Sequence, residues 1–313
     1  MKVARLLVPE RATPVLALVC DGALYDVATL ERSFGNEEPH GDFFERVVVA
    51  RGAGLDALQA RLVAGRRPTE SRILEPGGFP LPPFDPQRGA YVQLGPADED
   101  AVVPGYQHRD ARAVVGDGQP VPVFGEPSFV DVGMAVLMGD DLEAASAAEA
   151  LRAAVGFSLL LEWCAEDAWS RLAAPPISQL GATLVMERLD RFNERTLVVT
   201  RGAARRETAP IGRRTFAVAD SLAYLSHRVA LRAGDVVGLG RVVGGREPIR
   251  AGELVSVALP GVVSLHGRAV RVPIPSARRL ETVARSIASR PACGPSGGGD
   301  LEHAADGQPG RGR

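Results

Sequence analysis

The sequence almost lacks lysine, and this absence excludes several catalytic mechanisms. The 313-residue chain has 36 basic residues, and Lys2 is the single lysine among them. A Schiff-base lysine, a phosphate loop of the Walker type and a Ser-x-x-Lys nucleophile all need a lysine in the body of the domain. We therefore exclude these classes of enzyme.

Cysteine is also scarce, and neither sign of charge is in large excess. Cys20, Cys164 and Cys293 are too widely separated to form a CxxC zinc or redox pair, and an odd, sparse set is typical of a reducing compartment. The formal net charge is -2, so the chain lacks the basic excess of proteins that bind nucleic acids or anionic membranes. We expect neither partner.

Long hydrophobic runs are absent as well. The longest apolar runs lie at residues 14–20 and 153–161, and both are far shorter than the ~20 residues that a membrane-spanning helix needs. Glu10 and Arg11 precede the first run, which makes it a poor signal peptide. We therefore expect a cytoplasmic protein.

The order of predicted elements indicates an α+β fold that is rich in β-structure. Apolar and β-branched runs predict strands near residues 3–8, 15–20, 23–27, 130–138, 156–163, 196–200, 236–237, 254–259 and 262–272. Helical spacing predicts helices at 55–64 and 217–229, and a Ser146 to Glu149 capping box opens a third helix. We predict a small N-terminal α+β domain at 1–68, Pro/Gly-rich connecting loops at 69–120, a larger β-rich domain at 121–290 and a disordered tail at 291–313.

A glycine-rich segment after residue 237 resembles a dinucleotide-binding loop. Gly238, Gly240 and Gly244 have the wrong spacing for that motif, and the residues after them do not form a helix-like run. We interpret these residues as turn glycines.

Two carboxylates stand out because they interrupt apolar strands. Asp131 and Glu162 each lie in such a run, where a carboxylate must be paired, hydrogen-bonded or bound to a cation. Since lysine is absent, the partner is either an arginine or a divalent metal, and oxygen ligands suit Mg²⁺. His108, in the loop-rich segment, is a candidate catalytic group or a solvent-facing residue. The spacing of the histidines does not indicate a metal site.

Several segments together resemble the fumarylacetoacetate hydrolase family. Residues 217–237 are similar to its helix-to-strand signature, and residues 249–257 and 261–270 are similar to its closing strands. Residues 131–139 lie where the family has a Glu-x-Glu strand, and residues 156–167 lie where it has an Asp-containing strand. The resemblance covers most of the first 275 residues. It implies a mixed β-roll catalytic domain with a small N-terminal domain, and a homodimer.

The same resemblance implies a chemistry and a set of site residues. The family acts on 2-oxo or enol acids and 1,3-diketones by C–C hydrolysis, decarboxylation or tautomerisation, with Mg²⁺ or Mn²⁺ held by three carboxylates. Asp131 and Glu162 would be two metal ligands, and Gly133 takes the place of the third, which weakens the site. Arg241 would bind the substrate carboxylate, while His108 or Asp167 would transfer protons.

The chain departs from the family pattern at most catalytic positions. Ala101 stands at the usual histidine, the active-site lysine is missing around Leu172, and residues 239–242 replace a Thr-Gly-Thr-Pro loop.

Three hypotheses follow. The first is a divergent metal-dependent enzyme, the second is a metal-free tautomerase or isomerase, and the third is an inactive relative that binds a small acid or supports a partner subunit.

Overall fold

The computed structural model describes residues 1–9, 11, 13–36, 41–73, 78–95, 103–123, 128–165, 176–214 and 216–271. In these residues strands predominate over helices, which confirms the prediction of a β-rich α+β fold. Asp167, Ala101, Leu172 and the predicted tail lie outside the described residues. No helix in the described ranges is both long and apolar enough to cross a membrane.

Twelve strands of the described chain form one large sheet. Its order is β4-β3-β2-β1-β12-β10-β9-β15-β6-β7, with β11 beside β10 and β5 beside β1. The strands are β1 (Lys2–Leu7), β2 (Val15–Cys20), β3 (Ala23–Asp26), β4 (Arg72–Ile73), β5 (Phe79–Leu81), β6 (Tyr91–Leu94), β7 (Tyr106–Arg109), β9 (Ser128–Met138), β10 (Ala154–Ala165), β11 (Ile177–Leu180), β12 (Thr183–Val185) and β15 (Val236–Ile249).

A second sheet, four α-helices and several short π- and 3₁₀-helices complete the described fold. The sheet has the order β14-β13-β16-β17-β8, formed by β8 (Pro120–Val123), β13 (Thr196–Arg201), β14 (Ala204–Pro210), β16 (Leu254–Leu259) and β17 (Val263–Arg271). The α-helices are α1 (Val27–Ser33), α2 (Leu55–Val63), α3 (Ala147–Ala153) and α4 (Val218–Ser226), and a short π-helix spans Phe44–Val49. The predicted capping box is confirmed at α3, where Ser146 and Glu149 exchange both backbone-to-side-chain hydrogen bonds.

The large sheet separates two apolar cores, and the alternation along β9 decides which residues face each one. Val130, Val132 and Met134 point into the core shared with the second sheet and α4. Ala135 and Leu137 point into the opposite core, which is shared with α1 and α2. Because successive strand residues face opposite sides, Asp131 and Gly133 lie on the same face as Ala135. The candidate carboxylate therefore faces the side that the N-terminal helices cover.

The predicted glycine turn after residue 237 is wrong: the segment belongs to one long bulged strand. β15 runs through it, and its register against β9 shifts between Gly238 and Arg241 and again between Arg241 and Arg246. Gly240 and Gly244 have φ values of 72° and 74°, which a residue with a side chain adopts only with strain. The glycines thus permit two bulges, which bring Arg241 opposite Gly133 and Arg246 opposite Asp131.

Candidate functional site

The two carboxylates singled out in the sequence are direct neighbours across two strands. Glu162 on β10 is paired with Asp131 on β9 in the antiparallel register. Their exposed fractions are 6% and 8%. Like charges directly opposite each other destabilise a sheet, and burial increases the penalty. Both carboxylates therefore need positive partners.

Arg109 and two hydroxyl groups surround Glu162. Arg109 Nη1 donates to Glu162 Oε2 at 2.5 Å, the Ser178 hydroxyl donates to Oε1, and the Tyr91 hydroxyl oxygen lies 3.3 Å from the same atom. Burial raises the pKa of Glu162, and the contacts with Arg109 and Ser178 oppose that rise. Burial and the charge of Glu162 also keep the pKa of Tyr91 well above its ordinary value, so Tyr91 remains a neutral phenol.

Two arginines of β15 neutralise Asp131. Arg241 Nη1 lies 3.4 Å from Asp131 Oδ1, and Arg246 Nε lies 3.3 Å from the same oxygen. The Arg246 guanidinium also stacks on the ring of Phe129, 4.7 Å from its centroid. The bulges of β15 make this double pairing possible, because they place Arg246 opposite Asp131 and Arg241 opposite Gly133, two residues further along β9.

The neighbouring backbone prevents any side chain at position 133, where the family resemblance expects a third carboxylate. A Cβ atom on Gly133 would lie 2.2 Å from the carbonyl oxygen of Gly240, so a side chain there would require β15 to move. Arg241 is the register partner of Gly133. The space next to this missing carboxylate is therefore occupied by backbone and by a cationic residue.

These residues do not fit a divalent cation. Asp131 and Glu162 are both engaged by guanidinium groups, and a cation between them would have to displace or be repelled by Arg109, Arg241 and Arg246. Nowhere in the described part of the chain do three or more His, Cys, Asp or Glu residues form a group that could hold a metal. The sequence left either an arginine or a divalent metal as the partner of each buried carboxylate, and the structure shows an arginine in both cases.

Arg241 and Arg246, the two partners of Asp131, line a cavity of about 360 Å³, and we call it the arginine pocket. Four arginines line it, namely Arg206, Arg214, Arg241 and Arg246. Its other described lining residues include apolar side chains, and none of them is an Asp or a Glu. A concave, partly apolar site with a few convergent charges is typical of small-molecule binding.

Arg214 was missed by the sequence analysis. Its Nη1 donates to the carbonyl oxygen of Leu239 at 2.6 Å and its Nη2 to that of Gly240 at 3.4 Å. Its Nε atom is buried and has no hydrogen-bond partner in the described residues. Burial lowers the pKa of Arg214 to about 10, and no carboxylate opposes this shift. No local pattern marks this arginine in the sequence, because its role depends on the position of β15.

The remaining predicted site residues lie elsewhere or are not described. His108 lies on β7, is exposed and does not line the arginine pocket. Its register partner is Val92, whereas the adjacent Arg109 is paired with Tyr91. Since neighbouring strand residues face opposite sides, Arg109 and not His108 reaches Glu162. Asp167 lies outside the described residues, so its predicted role stays a prediction.

Comparison with known proteins identifies the family. The family model of the fumarylacetoacetate hydrolase C-terminal domain matches residues 90–270, which is more than half of the chain. The chain therefore belongs to the fumarylacetoacetate hydrolase family, as the sequence resemblance indicated. A comparison with curated protein sequences finds no match.

Solved structures share the fold at low sequence identity. Fumarylacetoacetate hydrolase from Exiguobacterium antarcticum has a TM-score of 0.65 at 17% identity, and the match covers 87% of this chain and 100% of that one. Maleylpyruvate hydrolase from Sphingobium sp. SYK-6, in complex with manganese(II) and pyruvate, has a TM-score of 0.64 at 14% identity, over 87% and 99% of the two chains. The 5-carboxymethyl-2-hydroxymuconate delta-isomerase from Mycobacterium smegmatis has a TM-score of 0.60 at 16% identity, over 87% and 99%. The neighbours thus include both hydrolases and isomerases.

Proposed function

We propose that this protein acts on a small 2-oxo or enol acid that binds in the arginine pocket, and that it does so without a resident divalent cation. The observation that carries the proposal is the pocket itself, in which arginines converge and Asp131 lies directly behind two of them. Such a site attracts an anion and offers a carboxylate next to it. Membership of a family that includes hydrolases and isomerases supports an enzyme.

Arg241 binds the substrate carboxylate in this proposal. A guanidinium donates two parallel hydrogen bonds to a carboxylate, which fixes the orientation of the acid as well as its charge. The side chain of Arg241 is about one third exposed, so it remains accessible from the pocket while it contacts Asp131. Asp131 does not itself line the cavity, but it is one tenth exposed and contacts Arg241 and Arg246, which do.

The reaction favoured by this arrangement is keto–enol tautomerisation. The Asp131 carboxylate takes a proton from the carbon next to the 2-oxo group, and the electron pair of that C–H bond forms a C=C bond as the carbonyl oxygen becomes an enolate. Arg241 and Arg246 stabilise the enolate by hydrogen bonds. A proton from water then neutralises the enolate oxygen, and Asp131 returns its proton to solvent.

The expected Mg²⁺ or Mn²⁺ is not part of this proposal, because the guanidinium groups already supply positive charge to both carboxylates. Hydrolysis of a C–C bond is the second candidate activity, and the hydrolases among the structural neighbours favour it. It requires an activated water molecule, but no Asp, Glu or His is among the described residues that line the pocket, and Asp131 is already the base for the substrate proton in this proposal. An inactive relative that only binds the acid is the third candidate.

Proton exchange separates these candidates. Carbon-bound protons of 2-oxoglutarate are followed by NMR in D₂O, in the presence of EDTA, for the wild type, Asp131→Asn and Arg241→Gln. We expect wild-type exchange, loss of exchange with retained binding in Asp131→Asn, and weakened binding in Arg241→Gln. Arg213→Gln is the matched control, because Arg213 is exposed and lies outside the pocket.

Three outcomes would contradict the proposal. Exchange that requires Mg²⁺ or Mn²⁺ would support the metal-dependent enzyme. Binding without any exchange would support an inactive relative. Neither binding nor exchange in the folded wild type would refute an acid-binding pocket altogether.

A further inference from the structure

We infer that two arginines outside β15 are positioning residues, which fix the two bulges of that strand. Arg214 fixes the bulge before Arg241, and Arg206 fixes the bulge before Arg246. We call Arg206 and Arg214 the bulge arginines. Their role rests on the proposed function, since the two arginines held in place are the ones proposed to bind the acid and to stabilise its enolate. Neither bulge arginine has to touch the substrate in this role.

The register between β15 and β9 shows how much backbone each bulge contains. In the first bulge, residues 239–240 of β15 have only Met134 of β9 as their counterpart. In the second, residues 242–245 have only Val132 as theirs. A bulge disrupts the ladder and leaves backbone groups without their usual partners. Buried carbonyl groups in the two bulges therefore need donors from outside the ladder.

Arg214 supplies the donors for the first bulge. Its Nη1 donates to the carbonyl oxygen of Leu239 at 2.6 Å, and its Nη2 donates to that of Gly240 at 3.4 Å. Leu239 is buried, so a carbonyl group left there without a donor would cost free energy. Because the N–H groups of a guanidinium lie in one rigid plane, two such bonds fix the directions of two consecutive carbonyl groups.

Arg206 supplies the donors for the second bulge. Its Nη2 donates to the carbonyl oxygen of Gly244 at 2.6 Å and to that of Arg246 at 3.0 Å. The side chain of Arg206 is about half exposed, but it is also ion-paired with Glu247, whose side chain is largely buried. This ion pair holds the guanidinium over the bulge. Each bulge is thus bound at two carbonyl groups by one arginine.

The glycines permit the bulges but do not determine their shape. Gly240 and Gly244 have φ values of 72° and 74°, yet glycine adopts positive and negative φ about equally well. Another constraint has to select one conformation. The carbonyl groups of these same two glycines are the ones that the bulge arginines bind. Their hydrogen bonds therefore select the conformation that the glycines allow.

The shape of each bulge sets the position of the arginine that follows it. Arg241 comes directly after Gly240, and its Nη1 lies 3.4 Å from Asp131 Oδ1. Arg246 comes two residues after Gly244, and its Nε lies 3.3 Å from the same oxygen. A displacement of ~1 Å in a group that orients a substrate can lower a rate about 100-fold. Loss of a bulge arginine should therefore weaken catalysis even if the chain remains folded.

NMR of the arginine side chains tests this role without any substrate. The Nε–H signals of Arg241 and Arg246 in the ¹⁵N-labelled protein are assigned from their disappearance in Arg241→Gln and Arg246→Gln. Asp131→Asn then gives the shift that each signal shows when the contact with the carboxylate is lost. Urea unfolding of every variant establishes that it is folded.

Each bulge arginine should affect its own neighbour most. We expect Arg214→Met to move the Arg241 signal in the direction seen in Asp131→Asn, and Arg206→Met to move the Arg246 signal in the same way. Arg213→Met is the matched control and should leave both signals in place, because Arg213 is exposed and lies outside the pocket.

Arg214→Lys is the conservative variant and keeps a donor for the first bulge. Its ammonium group lacks the planar fork, so the Arg241 signal should move less than in Arg214→Met. If Arg214→Met does not fold, Arg214→Lys carries the same test. An Arg241 signal that stays at its wild-type position in the folded Arg214→Met, or that moves as far in Arg213→Met, would overturn the positioning role.

Proton exchange of 2-oxoglutarate gives a second readout. In Arg214→Met, kcat/KM for exchange should fall about tenfold or more. The double variant Arg214→Met/Arg241→Gln should be nearly as active as Arg241→Gln alone, because two changes that act through one residue are not additive. Additive losses would overturn the positioning role and leave the proposed function intact. Arginine signals that move as expected in a wild type without exchange would support the positioning role and refute the proposed function.

Discussion

Replacing Arg214 by methionine should change the free energy of unfolding very little, although the side chain is largely buried and makes two hydrogen bonds. This expectation follows from two opposing effects. Methionine removes a cation that burial disfavours, but it also leaves the carbonyl oxygens of Leu239 and Gly240 without their donor.

The magnitude of the first effect comes from the pKa of Arg214. Burial lowers this pKa to about 10, which corresponds to a cost of about 3 kcal/mol for the charged form at neutral pH. Because the side chain is partly exposed to the pocket, solvent reduces this cost to about 1–2 kcal/mol. Each hydrogen bond lost from a carbonyl costs about 1 kcal/mol. The two effects nearly cancel, so the net change should lie within about 1 kcal/mol of zero.

Urea unfolding at pH 7 measures the difference, with the fluorescence of buried Trp163 as a probe and Arg213→Met as the control. A second signature concerns alkaline pH. The folded chain releases the Arg214 proton at about pH 10, whereas the unfolded chain holds it to a higher pH. Loss of this proton should therefore add to the free energy of unfolding of the wild type as pH rises above about 10. Arg214→Met has no such proton and should lack this gain. A decrease of more than about 3 kcal/mol in the free energy of unfolding of Arg214→Met would show that the two effects do not cancel and that Arg214 is a structural residue.

The remaining predictions concern the two carboxylates and Gly133, which lies on the same strand as Asp131. The free energy of unfolding of Gly133→Ala, measured in urea, should be lower than that of the wild type by about 2 kcal/mol or more, because its Cβ would lie 2.2 Å from the Gly240 carbonyl. Gly22→Ala, which takes a strained φ but has no neighbour close to its Cβ, is the control. Burial raises the pKa of Glu162 in the folded chain, so the free energy of unfolding of the wild type should fall as pH rises from about 4.5 through the folded pKa. In Glu162→Gln, the unfolding midpoint should depend less on pH over this range. Calorimetric titration with Mg²⁺ or Mn²⁺ should show no binding to the wild type, and micromolar binding that is lost in Asp131→Asn would contradict the arginine-paired site.

Much of the fold could be predicted from the sequence because its signals are local. The apolar runs around Val130 and Leu160 predict the two central strands, and the capping box predicts the start of α3. Asp131 and Glu162 could be recognised as buried carboxylates for the same reason. The domain boundaries and the homodimer stay predictions, because nothing in the described structure tests them.

The partners of those carboxylates could not be predicted, since they depend on register and not on local pattern. Arg109 meets Glu162 across 53 residues, and Arg241 meets Asp131 across 110. The phase of the four-residue strand β7 decides that Arg109 and not His108 faces Glu162. The bulges of β15 bring Arg241 and Arg246 to Asp131, and in the sequence these bulges are visible only as irregularly spaced glycines.

The exchange of metal-type ligands for arginine pairs also limits the chemistry that we expect. A guanidinium donates hydrogen bonds and stabilises an enolate, but it has no open coordination position at which to polarise a bound water molecule as a metal does. Each carboxylate also pairs with an arginine that would otherwise be a partly buried, unpaired charge. In the proposed function, the arginine pocket therefore binds an acid and moves a proton on it. Hydrolytic turnover by the wild type at a rate comparable to its proton exchange would show that a further group activates water.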